Sequence, residues 1–388
     1  MTKPLLTVVI MVKDEADCIE ATLATAKPFV DRWLVYDTGS TDGTQGLAQA
    51  FMADLPGRLV EEPFVSMSHS RNRSIDLAGT ETEFLLMLDA DDKLVGGDAL
   101  RSHLEMRRFD FDYSAFFMRT NFGVVFDMCK VIRTGMGWHF EGVAHEQLVH
   151  PTQQVRERVP DVQVDQIRTD LMDSKSKARW EREEGLLRAR LEEAPDDTRS
   201  AFYLAQTLTC LGRHEDALEA HYVRIAMGGW WEEVYQSWMR AAWALRSMGN
   251  PWPDQMEAYL EAFKVAPHRA EPLFAIGDYY RLQNEHHLGY LFARRAVELP
   301  YPGAEIHVVD HEIYEWKAQD LLSVTAYYVG DNERGEAAAR AALAARPDDD
   351  RLALNVRYYV ERHDGGVGSE GTNGNPVLRP NGSHEANP

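Results

Sequence analysis

The chain has 388 residues, 44% of them apolar, and carries 62 acidic against 41 basic side chains for a formal net charge of −21. Such a length exceeds one ordinary core and points to about two domains, with enough apolar residues to fold them. The acidity excludes general attraction to nucleic-acid phosphates or anionic lipid, although a local basic patch could hide in the sum. Cys18, Cys129 and Cys210 lie far apart with no C-x-x-C spacing, the usage of unpaired thiols in a reducing compartment. No apolar run approaches the ~20 residues that cross a bilayer, and no charged leader precedes a cleavable apolar stretch. The expected location is cytoplasmic.

In chain order, "LLTVVIMV" (Leu5 to Val12) is an almost continuous apolar run, as in a strand covered on both faces. Asp17 to Phe29 reads as a helix, "RWLVY" as a second strand, and the segment after Thr44 as a second helix. "EFLLMLD" (Glu83 to Asp89) is a third strand. This alternation predicts a parallel sheet in an α/β domain, residues 1–165, with ligands gathered outside the carboxyl ends of its strands. Asp37 and Asp89 both close a strand there, so both are expected at one crevice.

From about Ser174 the strand signal vanishes. Ala201, Ala205, Leu208, Gly212 and Ala217 set a spacing that recurs at Trp238, Ala242, Leu245 and Gly249, and again at Leu273, Gly277, Tyr280, Gly289, Ala293 and Ala296. Pro195, Pro267, Pro300 and Pro347 each follow a helical stretch. Small residues at such offsets let paired helices approach closely, and the period is close to the roughly 34 residues of tetratricopeptide repeats. Residues 166–362 are therefore expected to form an all-helical repeat domain. Trp180, Leu187 and Leu191 share one face of its leading helix. The Gly-, Asn- and Pro-rich tail, 363–388, is expected to be disordered.

"LMLDADD" (Leu86 to Asp92) places paired carboxylates, Asp89 and Asp91, at the end of a buried strand, where they can hold a hard divalent cation and leave positions for phosphate oxygens. "MVKDEAD" closes the first strand with Asp14 and Glu15. "SHSRNRSIDLA" places Arg71 and Arg73 ahead of the third strand, where an arginine could meet a nucleotide base or phosphate. "KVIRTGMGWHFEGVAHEQL" supplies aromatics, a metal-ligating candidate in His145 and a base in Glu146. Each has a plain structural alternative: Arg71 as a surface arginine, His145 as a satisfied structural histidine, Trp138 and Phe140 as core.

The ordered set "VKDEAD", "VYDTGSTDGT", "SRNRSI", "LDADD" and "FEGVAHEQL" resembles the family 2 glycosyltransferases of GT-A fold over residues 5 to about 150. The second half resembles the tetratricopeptide-type extension of a bacterial and phage subset. The resemblance implies inverting transfer of a sugar from a nucleotide donor, usually UDP-linked, with Mn²⁺ or Mg²⁺. It implies that Asp37 contacts the nucleobase or ribose, that Glu15 lines the nucleoside pocket and that Arg71 lies on the donor side. Asp89 and Asp91 match the Asp-x-Asp, with Asp91 ahead as direct metal ligand and His145 as the third. Glu146 is the expected base and Glu141 its rival. Many relatives carry a histidine in the strand after the His-Glu loop; here that stretch reads "DVQVDQIRTD" (Asp161 to Asp170).

The acceptor expected is a protein or glycan, recruited by repeats that could also pair two subunits. A modified base in DNA is the alternative acceptor, and a non-catalytic repeat scaffold is the reading from another class.

Overall fold

Strand β1 (Leu6–Val12) is the centre from which the first half of the chain is built. Helix α1 (Ile19–Ala26) leads to β2 (Arg32–Asp37), α2 (Thr44–Phe51) to β3 (Gly57–Glu61), and α3 (Met67–Ala78) to β4 (Phe84–Asp89). Then follow β5 (Asp92–Val95), α4 (Gly97–Met106), β6 (Tyr113–Asn121), β7 (Val125–Arg133), the short strands β8 (His139–Glu141) and β9 (Gln147–Val149), and β10 (Val155–Gln166). The protein is seen here as a computed structural model that describes residues 2–121, 125–152, 155–167, 172–303 and 309–364.

The eight-stranded sheet runs β3-β2-β1-β4-β7-β6-β10-β5. Its first four strands are parallel. Beyond β4 the expected parallel pattern fails, because β7 runs antiparallel to β4 and to β6, and β5 antiparallel to β10. The reason is connection length: three residues separate β6 from β7 in sequence, far too few for a crossover. The sheet is therefore mixed. Alternation divides its core into two layers. Val8, Ile10 and Val12 pack with α1 and α4 through Ile19, Leu23, Leu100 and Leu104. Val9, Leu85, Met87 and Ile132 pack on the other face with Trp138 and with Ile75 and Ala78 of α3.

The chain divides into two compact units, Met1–Tyr203 and Leu204–Pro388. The expected boundary near residue 165 falls earlier, so α5 (Met172–Glu193) and the start of α6 (Thr198–Cys210) go with the sheet unit. The second unit is entirely helical among its described residues. It continues with α7 (His214–Met227), α8 (Trp231–Ser247), α9 (Trp252–Val265), α10 (Glu271–Leu282), α11 (His286–Val297), a π-turn at Ile313–Lys317, α12 (Ala318–Val329), α13 (Asn332–Ala345) and α14 (Asp350–Asp364).

From α7 onward each helix packs on the next, and α10 also meets α12, as stacked hairpins require. A Cβ at Gly277 would lie 3.3 Å from the Gly289 carbonyl, and one at Gly289 3.2 Å from that of Gly277, so this glycine pair sets the close approach of α10 and α11. Trp230 precedes α8 as its N-cap residue and Trp231 begins the helix. The tail 365–388 lies outside the described residues. No described helix is long and apolar enough to cross a membrane.

Candidate active site

Register brings the first two motifs to one sheet edge. Val12 of β1 pairs with Asp37 of β2, and Met11 pairs with Asp89 of β4. These strand ends form the edge where the chain order reverses, the usual crevice for ligands in such sheets. Period-two alternation carries Asp37 on the face of Val35 and Asp89 on the face of Met87. The two carboxylates thus reach the same edge from opposite faces.

Asp37 is fully buried. Its Oδ1 accepts from the amides of Gly39 and Ser40 at 2.8 and 2.9 Å. Gly39 makes that turn at φ +111°, where a side chain would be strained. Oδ2 is buried with no hydrogen-bond partner among the described residues. The β1–α1 loop is tied to the β2–α2 loop. The amides of Asp14, Glu15 and Ala16 donate to Ser40 Oγ, Thr44 Oγ1 and Asp42 Oδ2, each at 2.9 Å. Glu15 keeps its carboxylate beside Asp17 and Cys18, and these ligand atoms lie within 4.8 Å of one another. Burial and the Glu15 carboxylate push the Cys18 thiol well above its ordinary range, so it stays protonated.

On the other face, Arg71 of α3 spans two carboxylates. Its Nη2 donates to Asp89 Oδ1 at 2.8 Å and its Nε to Glu146 Oε1. The guanidinium also sits 5.4 Å from the Phe140 ring centroid. Asn72 fixes the β8–β9 hairpin to the same helix, donating to the Phe140 carbonyl at 2.8 Å and accepting from its amide at 2.6 Å. Lys130 of β7, 3% exposed, donates to Asp89 Oδ2 at 2.9 Å and to Asp92 Oδ2 at 2.7 Å. Sequence reasoning missed Lys130, Asp92 and Asn72. The signal for Lys130 was there: a lone lysine inside an apolar strand of an acidic chain needs a buried carboxylate.

Two cations and three carboxylates therefore form one connected group: Arg71, Lys130, Asp89, Asp92 and Glu146. Burial opposes ionisation of Asp89, but Arg71 and Lys130 overcome it and hold its carboxyl well below the usual range. Asp92 meets Lys130 and the Asp89 amide, but burial and the neighbouring Asp89 charge raise its carboxyl to about 6. Breaking a buried pair by removing one partner typically costs about 3–5 kcal/mol.

Asp91 is half-buried and differently placed. Gln166 Nε2 donates to its Oδ2 at 2.9 Å, and the Ile167 amide to its carbonyl at 2.7 Å. The stretch that lacks the relatives' histidine thus supplies an amide donor to Asp91. His145, the expected third ligand, has its ring elsewhere. It is stacked on Tyr203 with centroids 4.1 Å apart, and its Nε2 lies 3.6 Å from Glu183. Glu141 is exposed and accepts from His139 Nε2 at 3.0 Å. Its rival Glu146 is only 8% exposed at the side chain. Arg73 pairs with Glu62 rather than with the cluster.

Acidic and basic groups thus converge on one sheet edge, at the carboxyl ends of β1, β2 and β4. Residues 7–142 match the model for Glycosyl transferase family 2. This part of the chain is a family 2 glycosyltransferase domain, followed by a tetratricopeptide-type helical region. A TPR repeat-containing protein of Synechococcus elongatus is 36% identical over 97 residues, 24% of this chain and 23% of that protein. The chain thus aligns with about a quarter of the curated relative it matches. Among solved structures, MamA covers 47% of this chain and 97% of its own at 15% identity and TM-score 0.35. A thermophilic TPR protein of Thermus thermophilus covers 49% and 94% at 19% identity and TM-score 0.31.

Proposed function

We propose that the protein is an inverting glycosyltransferase that moves a sugar from a UDP-linked donor to a protein or glycan acceptor, acting in the cytoplasm with the repeats recruiting that acceptor. The observation that carries this reading is the Asp37 carboxylate. A buried acceptor oxygen without a partner is costly unless a ligand completes it, typically about 1–3 kcal/mol or more for a charged group. At a ligand-binding sheet edge, a nucleobase N–H or ribose hydroxyl is the donor that fits, with the Glu15 loop beside it.

Chemistry follows from which group faces which. As the sugar leaves its diphosphate, negative charge grows on the leaving oxygens, and Arg71 supplies a fixed, partly desolvated cation on the donor side. The acceptor oxygen bonds to the anomeric carbon as the bond to phosphate breaks, and the acceptor's proton passes to Glu146. Glu141 is the alternative base. General bases contribute about 10²–10⁴-fold. No covalent sugar–enzyme intermediate is needed, so one carboxylate on the acceptor side suffices.

A donor set of one outward carboxylate fits Mn²⁺ or Mg²⁺, which complete their shells with water and substrate phosphate. Asp91 would hold that cation, which when bound would neutralise the diphosphate; the Asp89 oxygens meet Arg71 and Lys130 and the His145 ring stacks on Tyr203, so neither expected second ligand joins it. The test is a panel of nucleotide-sugars with Mn²⁺ or Mg²⁺, read by release of nucleoside diphosphate. The expected result is turnover of a UDP-sugar. A panel left wholly unconsumed would refute the reading.

A further inference from the structure

The Asp-x-Asp motif has an internal cation that the motif itself does not announce. Lys130 Nζ bridges Asp89 Oδ2 and Asp92 Oδ2, while Arg71 takes Asp89 Oδ1. Both oxygens of Asp89 are therefore bound to positive side chains. Lys130 is 3% exposed and Asp92 fully buried, so their pair is shielded from solvent, while the Asp89 side chain is partly exposed. A divalent ion seated on Asp89 would have to displace an ammonium or a guanidinium, or sit against both. Asp91 has no such cation on it among the described residues: its carboxylate meets the neutral Gln166 amide.

We infer that Lys130 is a positioning residue of the donor site: it commits Asp89 to serve as counter-ion for itself and Arg71, and thereby leaves metal binding to Asp91. In this arrangement the first carboxylate of the Asp-x-Asp aims Arg71 at the donor and is not itself a metal ligand. Lys130 also neutralises Asp92, whose second oxygen, Oδ1, is buried without a partner among the described residues. The inference rests on the transferase reading of the site, but its test needs no sugar donor.

The test is calorimetric titration of Mn²⁺ alone into the full-length protein. Replacing Lys130 by itself would strand Asp92, so the fold-preserving variant is the paired Lys130→Met/Asp92→Asn, which removes one charge of each sign. It should bind Mn²⁺ about tenfold more tightly than wild type, because Asp89 is released as a ligand. Adding Asp89→Asn should abolish the gain. In the otherwise wild-type chain, Asp89→Asn should leave Mn²⁺ affinity unchanged, whereas Asp91→Asn should lower it about tenfold or more. Those single substitutions also carry the test if the paired variant does not fold.

A purely structural role for Lys130 predicts no gain in metal affinity. Unchanged affinity in the folded paired variant would overturn the inference. So would a loss on Asp89→Asn equal to that on Asp91→Asn. Failure of the transferase reading would show separately, as no nucleotide-sugar turnover by a protein whose Mn²⁺ titrations still follow this pattern.

Discussion

Glu146 and Glu141 sit on either side of one tight turn, in different surroundings. Glu146 is nearly buried and bonded to Arg71, so it is held in one geometry beside that guanidinium. Glu141 is exposed and tied only to His139. Glu146→Gln keeps an oxygen for Arg71 but cannot take a proton. It should lower kcat by about 10²–10⁴-fold with donor KM nearly unchanged, while Glu141→Gln turns over near the wild-type rate. Steady-state kinetics decide, and the opposite pattern would exchange the two roles. Both glutamates and Asp37, Asp89 and Asp91 could be read from sequence because they stand at strand ends or beside a recognisable motif. Lys130 and Asp92 could not be placed, since their pairing depends on β7 entering the sheet next to β4, an antiparallel insertion that local pattern does not encode.

Elements hold the turn between β8 and β9 from two sides. Asn72 of α3 fixes Phe140, while α5 and α6 hold His145 through Glu183, Tyr203 and a bond from Arg199 to the His145 carbonyl at 3.3 Å. His145 has φ +49°, a left-handed backbone that costs a non-glycine residue on the order of 1–3 kcal/mol and persists only where packing enforces it. The Tyr203 ring lies parallel to that imidazole, with centroids 4.1 Å apart, and Glu146 is the next residue in the chain. Tyr203→Ala should therefore lower kcat for transfer about tenfold or more by loosening the base, with donor KM little changed, and Tyr203→Phe should restore it by keeping the stack. Equal kcat in all three proteins would show that the turn holds itself. Sequence reading assigned α5 and the start of α6 to the repeats because a helix gives no local sign of which unit it joins. Here Tyr203 and Arg199 meet the hairpin, and that contact places them.

Over the whole molecule, an α/β unit and a helical repeat unit were both visible in the sequence, for different reasons. Strands β1, β2 and β4 show as apolar runs because a central parallel strand is buried on both faces, whereas the edge strand β3, GRLVE, is largely exposed and shows no such run. The later strands are half-exposed and broken by polar residues: β10 carries Arg156, Glu157, Arg158 and Asp161 within it, so no run stands out. The repeats were legible through small residues. Their structure adds a second periodic feature, in which the first residue of a helix packs on an aromatic of the following one: His214 edge-on to Trp243, Trp252 stacked on Tyr279, and His286 stacked on Tyr328. A motif that mixes His with Trp and Tyr is hidden from a search for identical residues.

The central claim is that the crevice at the ends of β1, β2 and β4 binds a nucleoside diphosphate through Asp37, with a divalent ion held at Asp91. The direct measurement is calorimetric titration of UDP into the full chain, with Mn²⁺ and with chelator, for wild type, Asp37→Asn and Asp91→Asn. Wild type should bind more tightly with Mn²⁺, Asp91→Asn should lose that gain, and Asp37→Asn should weaken binding about ten- to a hundredfold under both conditions. Equal UDP affinity in wild type and Asp37→Asn, or in wild type with and without the metal, would contradict the account.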